Sequence, residues 1–188
     1  MTMDPIIDAA KLRDSVEHTA ARLAELPSRG VIRPRVSTRL LRDVTAEARF
    51  EQYGREFAFR NDEPPGRGGA GIEPTSIRYF LSGLAFCLQV WLAKGAALVD
   101  CSIEDVELDV EAQLDMRREY DLPPTGTSEY LVADLRVTSP SPSNLVLAMA
   151  DEAIRRCPLA HVVALPIHQR VTHNGVVIRD DLPAPAAR

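Results

Sequence analysis

Three cysteines stand in the 188-residue sequence, at positions 87, 101 and 157. Cys87 lies inside SGLAFCLQVWLAKGAAL, an apolar run with helical spacing, and Cys157 closes DEAIRRC directly before Pro158. Arg155 and Arg156 precede Cys157, and His161 follows four residues on. Nearby positive charge lowers a thiol pKa, and the thiolate is the form that attacks peroxides, disulfides and metals; the negative end of a helix works in the opposite sense. Pro158 pushes the residue before it out of helical geometry, so the Cys157 thiol is held at a bend. A lone cysteine on a helix face is ordinarily a small buried hydrophobe. That reading suits Cys101, which opens the stretch CSIEDV, and the local run around Cys87 supplies no cation to argue otherwise. For Cys157, packing and chemistry stay open together.

Other chemistries find less support. His161, His168 and His173 with Cys157 lack the spacing of a zinc site, in which paired cysteines and histidines recur at short fixed intervals. GRGGAG (66–71) follows a proline-rich stretch rather than a strand, so it does not fit a phosphate-binding loop. No metal and no cofactor are expected.

The elements that must position the cysteines can be read from periodicity. Residues 5–26 place Ile6, Ala9, Leu12, Val16, Ala20 and Leu23 at helical spacings, with Arg13, Glu17 and Arg22 on other faces, so an amphipathic helix is expected before PSRG stops it. RVSTRLL and ARFEQYGREFAFR alternate, which predicts two or three antiparallel strands over 32–62 with a turn at Tyr53-Gly54. NDEPPGRGGAGIEPTS is a loop by its glycines and prolines. Pro74 to about Val99 reads as a long helix with apolar residues on nearly every face, which belongs at the centre of a core or of a tight oligomer. IEDVELDVEAQLDMRREY (103–120) and EYLVADLRVTS read as strands, the first with one wet face. A helix to Cys157 follows, with Ser141 or Ser143 as its N-cap. LPIHQRV and GVVIR close the chain as a hairpin around THNG. The order gives an α+β domain over 31–182, an N-terminal helical extension over 1–30 and a frayed tail over 183–188.

Composition bounds the partners. Hydrophobic residues make up 45% and charged residues 26%, as in ordinary globular proteins, and the net charge of −5 offers no electrostatic footprint for nucleic acid. The N-terminus lacks the order of a signal peptide, and the run LSGLAFCLQVWLA falls short of the roughly 18 residues that suggest a membrane span. A cytoplasmic location is therefore expected, without membrane or nucleic-acid partners.

The run DEPPGRGGAGIEPTSIRYFLSGLAFC, the strand IEDVELDVE and the helix end RRCPLAHVV together resemble the OsmC/Ohr family, the osmotically inducible and organic hydroperoxide resistance proteins. The resemblance covers about residues 32–180 in element order. It implies an intertwined homodimer, with two long helices packed centrally, antiparallel sheets from both chains around them and active sites at the subunit interface. It further implies thiol peroxidase chemistry: Cys87 attacks an organic hydroperoxide and becomes a sulfenic acid, Cys157 resolves it as a disulfide, and an external dithiol reduces the bridge. An apolar pocket from Phe80, Leu84 and Trp91 would then favour organic substrates. Family enzymes pair an arginine with a glutamate to activate the thiol. In the register fixed by Cys87 the glutamate position holds Ile77, and Glu73 is the nearest acid upstream. Arg42 in LLRDV is the first candidate for the arginine, with Arg49 second. The alternative is a non-enzymatic dimer of the same fold that binds an apolar small molecule, its cysteines serving as structural or redox-switch residues.

Overall fold

The computed structural model describes residues 6–126 and 129–163, together with the backbone of two strands, Arg170–His173 and Val176–Asp180. The expected tail over 183–188, the tip of the THNG turn and His168 lie outside the described residues.

Helix α1 (Ala9–Glu25) starts where the Asp8 side chain accepts a hydrogen bond from the Lys11 N–H at 3.0 Å. It lies along the second helix, with Ile7 packed on the core and none of its own residues fully buried. Arg13, which periodicity puts off the apolar face, reaches back across it. Its Nε donates to the Ala97 carbonyl at 3.1 Å and its guanidinium pairs with Asp100.

Strands β1 (Ser37–Arg42), β2 (Thr45–Gln52) and β3 (Arg55–Asn61) form an antiparallel meander in chain order. Tyr53 and Gly54 both have positive φ, 55° and 69°, as a two-residue type I′ turn requires. Phe50 stacks between Phe57 and Phe59 at centroid distances of 5.4 and 5.7 Å, and Phe59 meets Tyr79 of the next helix edge-on.

The glycine-rich loop is ordered by one buried carboxylate. Asp62, fully buried, accepts from the backbone N–H of Glu63 and of Ala70 at 2.9 Å each, from Ile72 at 3.3 Å and from the Thr45 hydroxyl at 3.2 Å. The chain folds back so tightly that a Cβ on Gly69 would stand 1.8 Å from the Glu63 carbonyl oxygen.

Helix α2 (Ser76–Leu98) buries Leu84, Leu88, Leu92, Gly95 and Ala96 against α3 (Ser143–Arg156) and the hairpin of β4 (Asp105–Gln113) and β5 (Tyr130–Thr138). Gly95 lets the two helices approach, since a Cβ there would lie 3.1 Å from the Met149 carbonyl oxygen. On the opposite face of α2, Phe86 is 71% and Val90 51% exposed. By length and composition the whole helix is apolar enough to cross a membrane, more than its uninterrupted apolar run suggests, yet it packs on α1, α3 and β4 as a core helix does.

Two sequence expectations need correction. The strand expected over 103–120 ends at Gln113, because Asp115 accepts the Arg117 N–H at 3.1 Å and winds Met116–Tyr120 into a 3-10 turn. The cap position of α3 is held by Pro142 rather than by a serine, and the Ser141 hydroxyl instead accepts the Ser102 N–H at 2.8 Å. A short helix α4 (Pro158–Val162) follows Cys157, and strands β6 (Arg170–His173) and β7 (Val176–Asp180) pair antiparallel. Helices and antiparallel strands thus make the α+β architecture, with α2 and α3 at its centre.

Candidate functional site: a buried dithiol

Helix α2 presents Leu84, Cys87, Leu88 and Trp91 on one stripe, by their spacing of three and four residues. The bend after α3 sets Cys157 against that stripe. Cys157 has extended backbone (φ −68°, ψ 113°), ends α3 by donating its N–H to Ala153 at 3.1 Å, and opens α4 with Pro158 at the first helical position. Leu84, Leu88 and Cys157 form a buried cluster, with Cys87, Trp91, Leu108, Val110 and Ala160 packed around it. The two cysteines, 70 positions apart in sequence, meet in that cluster, near enough for Cys157 to act on the Cys87 thiol, and no bridge joins them. Their exposure differs: Cys157 is fully buried, whereas Cys87 is only half-buried.

Burial pushes the Cys87 thiol above the ordinary thiol range, and the hydrogen bond with Cys157 pushes it the same way. The Leu159 backbone N–H, pointing at the Cys87 sulfur from the first turn of α4, acts against both. No cation is among the groups that shift it. Arg42 stands at the end of β1 with its side chain 88% exposed and its Nε 3.3 Å from Asp43. Arg49 on β2 is engaged by Glu47 and Glu56. Within this chain, then, neither arginine reaches Cys87. Glu73 sits half-buried in the loop before α2, and Ile77 is in the first turn of that helix. The cations beside Cys157 in sequence are engaged elsewhere: Arg155 and Arg156 both bind Glu152. Arg156 also lies against the Trp91 ring, as does Lys94. Sequence alone gave no hint of that indole–cation cluster, nor of the Leu159 amide. Asp62 could have been suspected, since an aspartate leading into a glycine-rich loop is a ready acceptor for backbone N–H groups.

Of the apolar residues expected around the thiols, Leu84 and Trp91 pack at the dithiol. Leu84 lines a hollow of about 160 Å³ with Val110, Ile154, Ala160 and Val163, and Phe80 borders a separate cavity with Arg67 and Glu119. A larger apolar cleft of about 570 Å³ runs between the meander and α2, lined by Ala48, Phe50, Phe59, Tyr79, Gly83 and Phe86. Cys101 is apart from the dithiol, in the second core cluster with Leu92, Ile103 and Met149. Among the described residues no group of three His, Cys, Asp or Glu side chains converges to hold a metal ion.

The model of the family described as OsmC-like protein matches residues 68–171, from the glycine-rich loop through both cysteines. The chain belongs to the OsmC-like family. The crystal structure of an OsmC-like protein from Mycoplasma pneumoniae has a similar fold, with TM-score 0.56 and 18% identity over 71% of this chain and 88% of that one. An organic hydroperoxide resistance protein OsmC from Legionella pneumophila is 17% identical over 71% and 91% of the two chains, at TM-score 0.49. An OsmC-like hydroperoxide resistance protein from Jannaschia is 17% identical over 76% and 94%, at TM-score 0.44. No curated protein matches the sequence. In this OsmC-like chain the match spans α2, β4, β5 and α3, the elements that bring the dithiol together, and leaves α1 and the meander outside it.

Proposed function

We propose that this OsmC-like chain is a cytoplasmic, thiol-dependent peroxidase that reduces organic hydroperoxides and works as a homodimer. The observation that carries this reading is the meeting of Cys87 and Cys157 in one apolar cluster, the first half-buried and the second buried. The Cys87 thiolate attacks the terminal oxygen of the hydroperoxide, the O–O bond breaks, and the alcohol departs with a proton. Cys87 is left as a sulfenic acid. The Cys157 sulfur then bonds to Cys87, expelling water, and an external dithiol restores both thiols. The order of roles follows exposure, since a peroxide meets Cys87 first. The apolar cleft beside Phe86 suits an organic rather than a small polar peroxide.

A second copy answers two features that one chain leaves open. It would cover the exposed face of α2, and it would bring a cation to a thiol that lacks one. Arg42, projecting from β1, is the cation we assign to that role. The test is consumption of cumene hydroperoxide with dithiothreitol as reductant. Turnover is expected for the native chain and loss of it in Cys87→Ser. With Cys157→Ser, one equivalent should be consumed rapidly before the rate falls. A chain that consumes no hydroperoxide above the Cys87→Ser background would refute the reading.

The raised thiol and the 570 Å³ cleft favour a second reading, a dimer that binds an apolar small molecule with inert cysteines. It requires an apolar fluorophore to bind stoichiometrically while both thiols stay reduced under hydroperoxide.

A further inference from the structure

On the peroxidase reading above, we infer that the Cys87–Cys157 bridge is opened through Cys87 alone: the reductant's sulfur bonds to Cys87, and Cys157 is always the leaving group. The argument is one of access. In thiol–disulfide exchange the attacking thiolate approaches the sulfur it bonds to from the side opposite the sulfur that leaves, so access to each sulfur decides which is attacked. To attack Cys157 it would have to come through the core. That sulfur is fully buried, with Leu84 and Leu88 of α2, Leu108 and Val110 of β4 and Ala160 of α4 around the pair. Cys87 is half-buried, and one turn before it on α2 Gly83 has no side chain of its own, the nearest being that of Leu159 on α4. Cys157 is covered by residues of its own chain, so a second copy cannot uncover it.

The step balances as follows. A thiolate of an external dithiol attacks Cys87 Sγ, the bond to Cys157 breaks, and its electron pair goes to Cys157 Sγ, which takes a proton. The second thiol of the reductant, deprotonated, attacks its own sulfur in the mixed disulfide and releases Cys87 as a thiolate. Two electrons have then passed from the dithiol to the bridge, and the dithiol leaves as a disulfide. The thiol that meets peroxide is thus also the one that meets reductant, and both partners use one opening in turn.

Diamide, which oxidises dithiols without a peroxide, closes the bridge in the full chain; brief treatment with glutathione, a monothiol, is stopped with acid and the adduct located by peptide mass mapping. The expected result is glutathione on Cys87 with Cys157 recovered as a free thiol. Glutathione on Cys157 overturns the inference, as does a chain in which diamide closes no bridge. A bridge that diamide closes and a hydroperoxide does not close sinks the peroxidase reading alone, and the adduct position still decides this one. Because a label can pass between neighbouring sulfurs, a second measurement compares single thiols. Cys87 in Cys157→Ser should react with glutathione disulfide much faster than Cys157 in Cys87→Ser, and equal rates contradict the inference.

Discussion

The Arg156 guanidinium lies over the Trp91 ring, 5.6 Å from its centroid, and Lys94 Nζ lies 5.0 Å from the same centroid. Cation–π contacts of this kind hold the indole in place between α2 and α3. The single tryptophan of the chain therefore packs against both core clusters, one of which contains the two thiols. Its emission should report the dithiol. Closing the bridge places a disulfide, which quenches excited indole, beside Trp91, so fluorescence is expected to fall on oxidation and return with dithiothreitol. In Cys157→Ser the fall should be absent. An unchanged emission in a chain shown by mass to be bridged would contradict the placement of Trp91 at the dithiol.

In the single chain left by Phe86→Glu with Val90→Glu, where no second copy brings a cation, Cys87 should be a slow thiol at neutral pH. Burial, the larger cause, and the hydrogen bond with Cys157 both hold its proton on. Alkylation by iodoacetamide should therefore climb about tenfold per pH unit until a midpoint above that of free cysteine, near 8.5. Cys157→Ser replaces that thiol contact and should lower the midpoint, while burial keeps it above the free value. A midpoint below neutrality in the isolated chain would mean that a cation reaches Cys87 after all.

Asp62 supports a prediction about acid stability. Burial favours its neutral form, but the N–H groups of Glu63, Ile72 and Ala70 with the Thr45 hydroxyl outweigh it and hold the carboxyl below the usual range. A carboxyl depressed in the folded state contributes stability that is present above its unfolded pKa of about 4 and is lost as pH falls through the folded value. Asp62→Asn should lower the melting temperature at pH 7 and flatten its decline below pH about 4. Gly69→Ala should be worse at every pH, because its methyl group would overlap the Glu63 carbonyl. Equal melting curves for native chain and Asp62→Asn would show that the loop does not depend on this carboxylate.

The exposed side of α2 predicts assembly. Phe86 and Val90 are large apolar residues left open on a helix whose other face, with Leu84, Leu88 and Leu92, is built into the core. Light scattering after size exclusion should give twice the mass of one chain, and Phe86→Glu with Val90→Glu should halve it. A native chain that stays monomeric at micromolar concentration would remove the second copy from the proposed site.

What could be read in the sequence follows from how local each signal is. The helix around Cys87, the meander with its Tyr53-Gly54 turn and the hairpin strands were legible because period and turn chemistry act within a few residues. Alternation misled at LDMRREY, where an aspartate binding its own backbone neighbour ended the strand early. The pairing of Cys87 with Cys157 came from family resemblance, not from spacing, since only the packing of α3 on α2 brings positions 70 apart together. Which cations and amides face the thiols was illegible for the same reason. Arg155 and Arg156 look like activators in sequence and prove to be held by Glu152. The Leu159 N–H belongs to the backbone and leaves no mark in composition.

The most direct test of the account is the mass of the reduced chain after brief exposure to cumene hydroperoxide. The account requires loss of two hydrogens, mapped to a bridge between Cys87 and Cys157, in the native chain and in neither single serine variant. Thiols that stay reduced, or a bridge that includes Cys101, would contradict it.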